Sequence, residues 1–142
     1  MFIQANRRSG RFSLVIPMLL LTLPISNLGC GKSDLGWVSG RVTLDGQPVQ
    51  GAVILFQPEG RRPSYAWVDA DGKFALQYAA GQKGAAIGSQ KVQLKAPSED
   101  QLTKLPPGVA VPTKLPRKFL EPFQTVEVKV GRNDFNFDLK SD

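Results

Sequence analysis

VSGRVTLDGQPVQGAVILFQP, Val38 to Pro58, carries the clearest structural pattern in this 142-residue chain. Val38, Gly40, Val42 and Leu44 alternate with Ser39, Arg41 and Thr43, the period of two that a half-buried strand requires. Asp45-Gly46-Gln47-Pro48 follows as a turn, because glycine tolerates positive φ and proline presets φ near −65°. Ala52 to Phe56 is apolar on both faces and reads as a central or doubly covered strand. The stretch is therefore expected to be a β-hairpin, with later strands completing the same sheet system.

Moving toward the C-terminus, Ser64–Val68 is a third strand, and Asp69-Ala70-Asp71-Gly72 turns it into a fourth, Lys73–Tyr78. In that fourth strand Phe74, Leu76 and Tyr78 alternate with Lys73, Ala75 and Gln77. Ser89–Ala96 is a fifth, with Val92 and Leu94 pointing in. Thr125–Val130 is a sixth, with Val126, Val128 and Val130 on one face. Phe135, Phe137 and Leu139 mark the seventh. Seven short strands with turn signals between them predict an all-β, antiparallel sandwich. No segment keeps a 3.6-residue period long enough for a helix. Pro97 to Pro122 holds six prolines and is expected to be a long irregular loop.

The order G-R-V-T-L-D-G-Q-P-V-x-G-A-x-I-x-F-x-P, D-A-D-G-K-F-x-L, G-S-Q-K-V-Q-L and T-V-E-V-K-V-G-x-N-D-F-N-F-D-L resembles carboxypeptidase regulatory-like domains. The resemblance runs from about Trp37 to Lys140 and implies a transthyretin-like (prealbumin-like) sandwich of the kind found in small bacterial lipoproteins. It implies no peptidase activity, since no peptidase domain accompanies these residues. A domain over 37–142 is thus expected, with the proline-rich loop at 97–122.

Toward the N-terminus, residues 1–11 carry Arg7, Arg8 and Arg11 and no acid. Phe12 to Ile25 is then an apolar run of 14 residues with two prolines, short of the roughly 20 needed to span a bilayer. Basic segment, apolar run and short polar tail are the three parts of an export signal, assigned to residues 1–29. Gly10 stands against a twin-arginine reading of Arg7-Arg8. The chain's one cysteine, Cys30, follows Gly29 directly, and this resembles the lipobox of bacterial lipoproteins. Asn27 stands where that family usually has leucine. The resemblance implies a lipid on Cys30, a tether over 30–36 and membrane attachment. Gly31, where an aspartate would favour inner-membrane retention, points to the outer membrane.

Composition narrows the chemistry. There is no histidine, which removes the commonest general base and the commonest neutral metal ligand. One cysteine allows no internal disulfide and no multi-cysteine metal site. Residues 30–142 retain 15 basic groups against 12 acidic ones, a net +3, which gives no ground for nucleic-acid binding. Asp69-x-Asp71-Gly72 resembles part of a calcium loop but lacks the further oxygen ligands, so a turn with aspartates bonded to backbone amides explains it better. The glycine-rich segment from Gly81 to Gly88 lacks the Gly-Lys-Ser/Thr ending of a phosphate loop. No metal, cofactor or catalytic group is expected, and a hydrolase built on distant carboxylates is the disfavoured reading.

Two surfaces stand out. If Ala52, Ile54, Phe56, Ala66 and Val68 face the core, then Val53, Leu55, Tyr65 and Trp67 face outward as an apolar aromatic patch. A third strand shifted by one residue would instead bury Tyr65 and Trp67. The loop from Gln101 to Leu120 carries Lys104, Lys114, Arg117 and Lys118 and no acid, either as a solvated crossover or as a basic contact. The expected role is a non-catalytic envelope module that binds a protein partner or plays a structural part. The alternative is a carbohydrate-binding module for envelope polysaccharide.

Overall fold

The computed structural model describes residues 34–111 and 114–142. The export signal at 1–29, the lipidation site Cys30 and the first part of the tether lie outside the described residues. The fold is mostly strand, in two sheets whose inner faces share one core. Its strands are β1 (Leu35–Leu44), β2 (Gln47–Pro48), β3 (Val53–Pro58), β4 (Ser64–Trp67), β5 (Lys73–Ala75) and β6 (Gln77–Ala79). They continue as β7 (Gln82–Lys83), β8 (Ala85–Ala86), β9 (Gly88–Lys95), β10 (Gln124–Val128) and β11 (Arg132–Leu139).

The first sheet is organised on β1. β11 runs parallel along one edge of it, from Trp37 opposite Arg132 to Leu44 opposite Leu139. Three short strands pair with β1 antiparallel: β8 at Leu35–Gly36, β5 at Ser39–Arg41 and β2 at Thr43–Leu44. The second sheet has the order β10-β9-β3-β4-β6-β7, all antiparallel.

Several expectations are corrected here. The Val38–Pro58 stretch is not one hairpin: the turn is the two residues Asp45-Gly46, at φ 52° and 82°, and it pairs only Thr43–Leu44 with Gln47–Pro48. Two positive φ values match the right-handed twist of the flanking strands, which is why Asp-Gly suits this position. Gly51, at φ 76°, then redirects the chain, and β3 joins the other sheet between β9 and β4. The expected fourth strand is divided at Leu76. Its first half, β5, pairs with β1 and its second, β6, pairs with β4. The sandwich is not wholly antiparallel, because the β1–β11 ladder joins nearly the two ends of the domain in parallel. The proline-rich loop contains two one-turn helices, α1 (Glu99–Leu102) and α2 (Arg117–Leu120).

The core separates aromatics by type. Phe56 on β3 meets Phe74, Phe135 and Phe137 of the first sheet at ring-centroid distances of 6.2, 5.9 and 6.3 Å. Phe119 of α2 stands edge-on to Phe123 at 5.6 Å, and Phe123 edge-on to Phe137 at 5.8 Å, so the loop is fastened to the core by rings. All six phenylalanines after Cys30 belong to this core or pack against it. Trp37 and Tyr65 are exposed, and Trp67 and Tyr78 half-buried, as expected of rings that carry a polar handle. At the C-terminus the Ser141 N–H donates to Asp45 Oδ1 at 3.0 Å. The hydroxyl and N–H of Ser141 hold the Asp45 carboxyl below its usual value, with Lys140 and Lys118 adding to the effect. That contribution is present above the ordinary carboxylate pKa and is lost as pH falls through the lowered one.

Candidate binding surfaces

The outer face of the second sheet follows from strand phase. Ala52, Ile54, Phe56, Ala66 and Val68 are all buried, so their neighbours point away from the core. Register then sets those neighbours side by side, Val53 opposite Trp67 and Leu55 opposite Tyr65. The four residues form one block, in the first of the two phases the sequence allowed. Tyr65 is 40 % exposed, Leu55 and Trp67 are half-buried, and Val53 is covered at 4 %. Two amides flank the block: Gln93 lies opposite Leu55 on β9, and Gln77 opposite Tyr65 on β6. Lys95 lies opposite Val53 at the edge nearest the proline-rich loop. The surface is thus aromatic at its centre and able to hydrogen-bond at its sides.

Asp69 is engaged in building its turn. Its Oδ1 accepts from the N–H groups of Asp71 and Lys73, both at 2.9 Å, while its own N–H bonds the Lys73 carbonyl. Arg41 Nε donates to the Asp71 carbonyl at 3.0 Å, tying the turn to β1. This is the turn in which an aspartate bonds backbone amides that the sequence indicated. Among the described residues no three Asp, Glu, His or Cys side chains gather as a metal site would need. Asp69→Ala removes two charge-assisted bonds at once and is expected to cost about 1–2 kcal/mol in urea unfolding. Asp71→Ala, whose carboxylate does not build the turn, should cost less than about 0.5 kcal/mol.

The basic loop is dispersed rather than focused. Lys104 follows α1, and Lys114 lines a groove with Leu44, Pro48, Val49 and Val111 beneath the β1–β2 turn. Arg117 and Lys118 belong to α2. The Lys118 ammonium lies 5.1 Å from the Phe119 ring and also donates to the Asp142 carbonyl. The four cations are exposed, but they are spread along the loop, and Lys118 is turned toward the C-terminus. Buried polar chemistry is sparse. Gln90 Nε2 donates to the Ala86 carbonyl at 2.6 Å, while Gln90 Oε1 and Ser64 Oγ are buried without a partner.

A third surface escaped the sequence reading. At the start of β1, Trp37 is 41 % exposed, and Val130 is 79 % exposed beside it. Alternation alone puts Val130 on one face with Val126 and Val128, which are buried. β10 ends at Val128, so Val130 falls in the turn before β11 and points out. The Lys83 ammonium lies 5.3 Å from the Trp37 ring. The alternation of β1 did contain a signal, since Val38 inward requires Trp37 outward. The Val130 placement depended on where a strand stops, which period alone does not specify.

No family model matches this chain, and no curated protein matches it at significant similarity.

Proposed function

We propose that this chain is a non-catalytic module of the bacterial cell envelope, exported and held at the membrane by a lipid on Cys30, with the outer membrane favoured by Gly31. We read its sandwich as transthyretin-like, of the carboxypeptidase regulatory-like kind, and its role as binding an envelope partner. The observation that carries the binding role is the outer block in which exposed Tyr65 adjoins half-buried Leu55 and Trp67 over the covered Val53. Side chains of this kind contribute most when a partner covers them, and aromatic rings dominate such contacts. The basic loop with Lys104, Lys114, Arg117 and Lys118 begins beside this block and adds long-range attraction for an acidic partner.

A carbohydrate-binding reading has its own support in Gln77 and Gln93. Amides beside an exposed ring can hydrogen-bond hydroxyls while the ring stacks on a sugar face. Trp67→Ala separates the two readings. Loss of a glycan-array signal, roughly tenfold or more, selects the polysaccharide. Loss of a specifically co-purified envelope protein, with no glycan signal from the wild type, selects the protein partner. Anchorage is tested by alkyne-palmitate labelling and membrane fractionation of wild type against Cys30→Ser. The wild type should label and sediment with membranes, and the variant should not label. A wild type that is soluble and unlabelled refutes the anchor.

A further inference from the structure

The end of the sandwich at Trp37 combines exposed apolar groups, cations and a rigid backbone. Trp37 and Val130 share a shallow depression with Arg132. The Val130 turn is held from within. Asn133 Oδ1 accepts from the Lys129 N–H at 2.8 Å, while its Nδ2 donates to the carbonyls of Lys129, Gly131 and Trp37 at 2.8, 3.3 and 3.2 Å. The Trp37 N–H in turn donates to the Gly131 carbonyl at 2.8 Å. An apolar side chain on so constrained a turn cannot fold back onto the protein to escape water.

Charge at this end is predominantly positive. Lys83 lies over Trp37, and Lys129 and Arg132 flank Val130 in the chain, both exposed. Arg61 faces Asp34 at 3.8 Å, and Arg62 lies 5.6 Å from the Tyr78 ring at the adjoining edge. The carboxylates nearest in the chain are Asp34, Glu127 and Asp134, of which Asp34 is engaged by Arg61.

We propose that this end is a membrane-contact surface, with Trp37 and Val130 entering the headgroup region of an anionic leaflet and Lys83, Lys129 and Arg132 meeting lipid phosphates. The proposal rests on the lipid-anchored reading given above. β1 begins at this end, so the chain leading back to Cys30 leaves from beside Trp37. Three residues separate Cys30 from Asp34, and a lipid on Cys30 would keep Asp34 within about 14 Å of the leaflet, four Cα–Cα steps of extended chain. Tryptophan is enriched at that depth of a membrane, and basic side chains beside it are drawn to anionic headgroups. An exposed apolar turn with a cationic rim fits a bilayer surface better than the largely covered block on the second sheet does. The opposite end, with the β1–β2 turn and Lys114, lies about 30 Å away along the ten residues of β1 and would face outward.

The test uses the full chain carrying Trp67→Phe, which leaves Trp37 as the sole tryptophan. It is reconstituted into phosphatidylethanolamine vesicles containing about one-third phosphatidylglycerol, with lipids brominated near the headgroup. Trp37 emission should shift to the blue and fall at least about twofold, and Val130→Asp with Lys83→Glu should abolish both effects. Vesicle flotation, read in parallel, reports anchorage separately. A chain that floats but shows no quenching overturns the contact surface and leaves the anchor intact. A chain that does not float refutes the anchor. Cys30 is then coupled to maleimide-bearing lipid, and quenching or its absence still decides the proposal. Equal quenching in purely zwitterionic vesicles overturns the electrostatic part. A Trp37 shift that depends on protein concentration without lipid assigns the surface to a second copy of the chain instead.

Discussion

Phe56→Ala is expected to destabilise the domain by about 3–5 kcal/mol, the largest loss of any single truncation in the core. The ring is fully buried and is the one phenylalanine that the second sheet contributes to the aromatic cluster of the first. Removing it opens a cavity bounded by Phe74, Phe135 and Phe137, whose strands are fixed by their own ladders and cannot close on the gap. At roughly 4 °C per kcal/mol for a domain of this size, the melting temperature should fall by about 12–20 °C. Phe56→Leu retains most of the volume and should cost about 1–1.5 kcal/mol. An alanine variant that unfolds within about 1 kcal/mol of wild type would mean that the sheets are not held together by this cluster.

Gly40→Ala should be nearly as damaging, by a different route. A Cβ at Gly40 would lie 1.8 Å from the Phe135 carbonyl oxygen and 2.7 Å from its carbon, both main-chain atoms of β11. No rotamer change relieves that overlap; β11 has to move away from β1. We expect a loss of about 3 kcal/mol or more, together with faster hydrogen exchange along Arg132–Leu139 while β3 and β9 stay protected. Gly46→Ala is the control. There a Cβ meets nothing within 4 Å, but φ is +82°, so only the conformational cost of about 1 kcal/mol should appear. Equal, small effects at both positions would refute the close approach of β1 and β11. The same ladder bears on the proposed membrane surface, because its first pair, Trp37 and Arg132, sets the position of the Val130 turn.

Much of the local structure was legible in the sequence. Period-two alternation located the strands at Val38–Leu44, Ser64–Val68, Ser89–Ala96 and Phe135–Leu139, and for the first and the last two of these it assigned the buried face correctly. Side chains that alternate between oil and water leave the same trace whichever strand is their neighbour. Asp69 was legible as a turn residue for a similarly local reason, since its partners lie two and four residues away. The outer block of Val53, Leu55, Tyr65 and Trp67 was legible only as one of two phases. The choice depended on whether Val68 or Trp67 would meet the opposite sheet.

Sheet membership was not legible. The turns at Gln50–Gly51 and Asp69–Gly72 look like hairpin turns but carry the chain from one sheet to the other. Nothing local distinguishes the two, because turn residues specify a change of direction and not a pairing partner. The parallel β1–β11 ladder is decided by closure of the whole domain. It joins residues about 95 apart, and it allows Gly40 to lie against Phe135. The Trp37 and Val130 surface arises in the same way, from the beginning of β1 and the β10–β11 turn meeting at the first pair of that ladder. Alternation, turn chemistry and the composition of the first thirty residues were therefore readable from the sequence alone. Which strands pair, and hence which exposed side chains become neighbours, was settled only when two sheets closed over one core of phenylalanines.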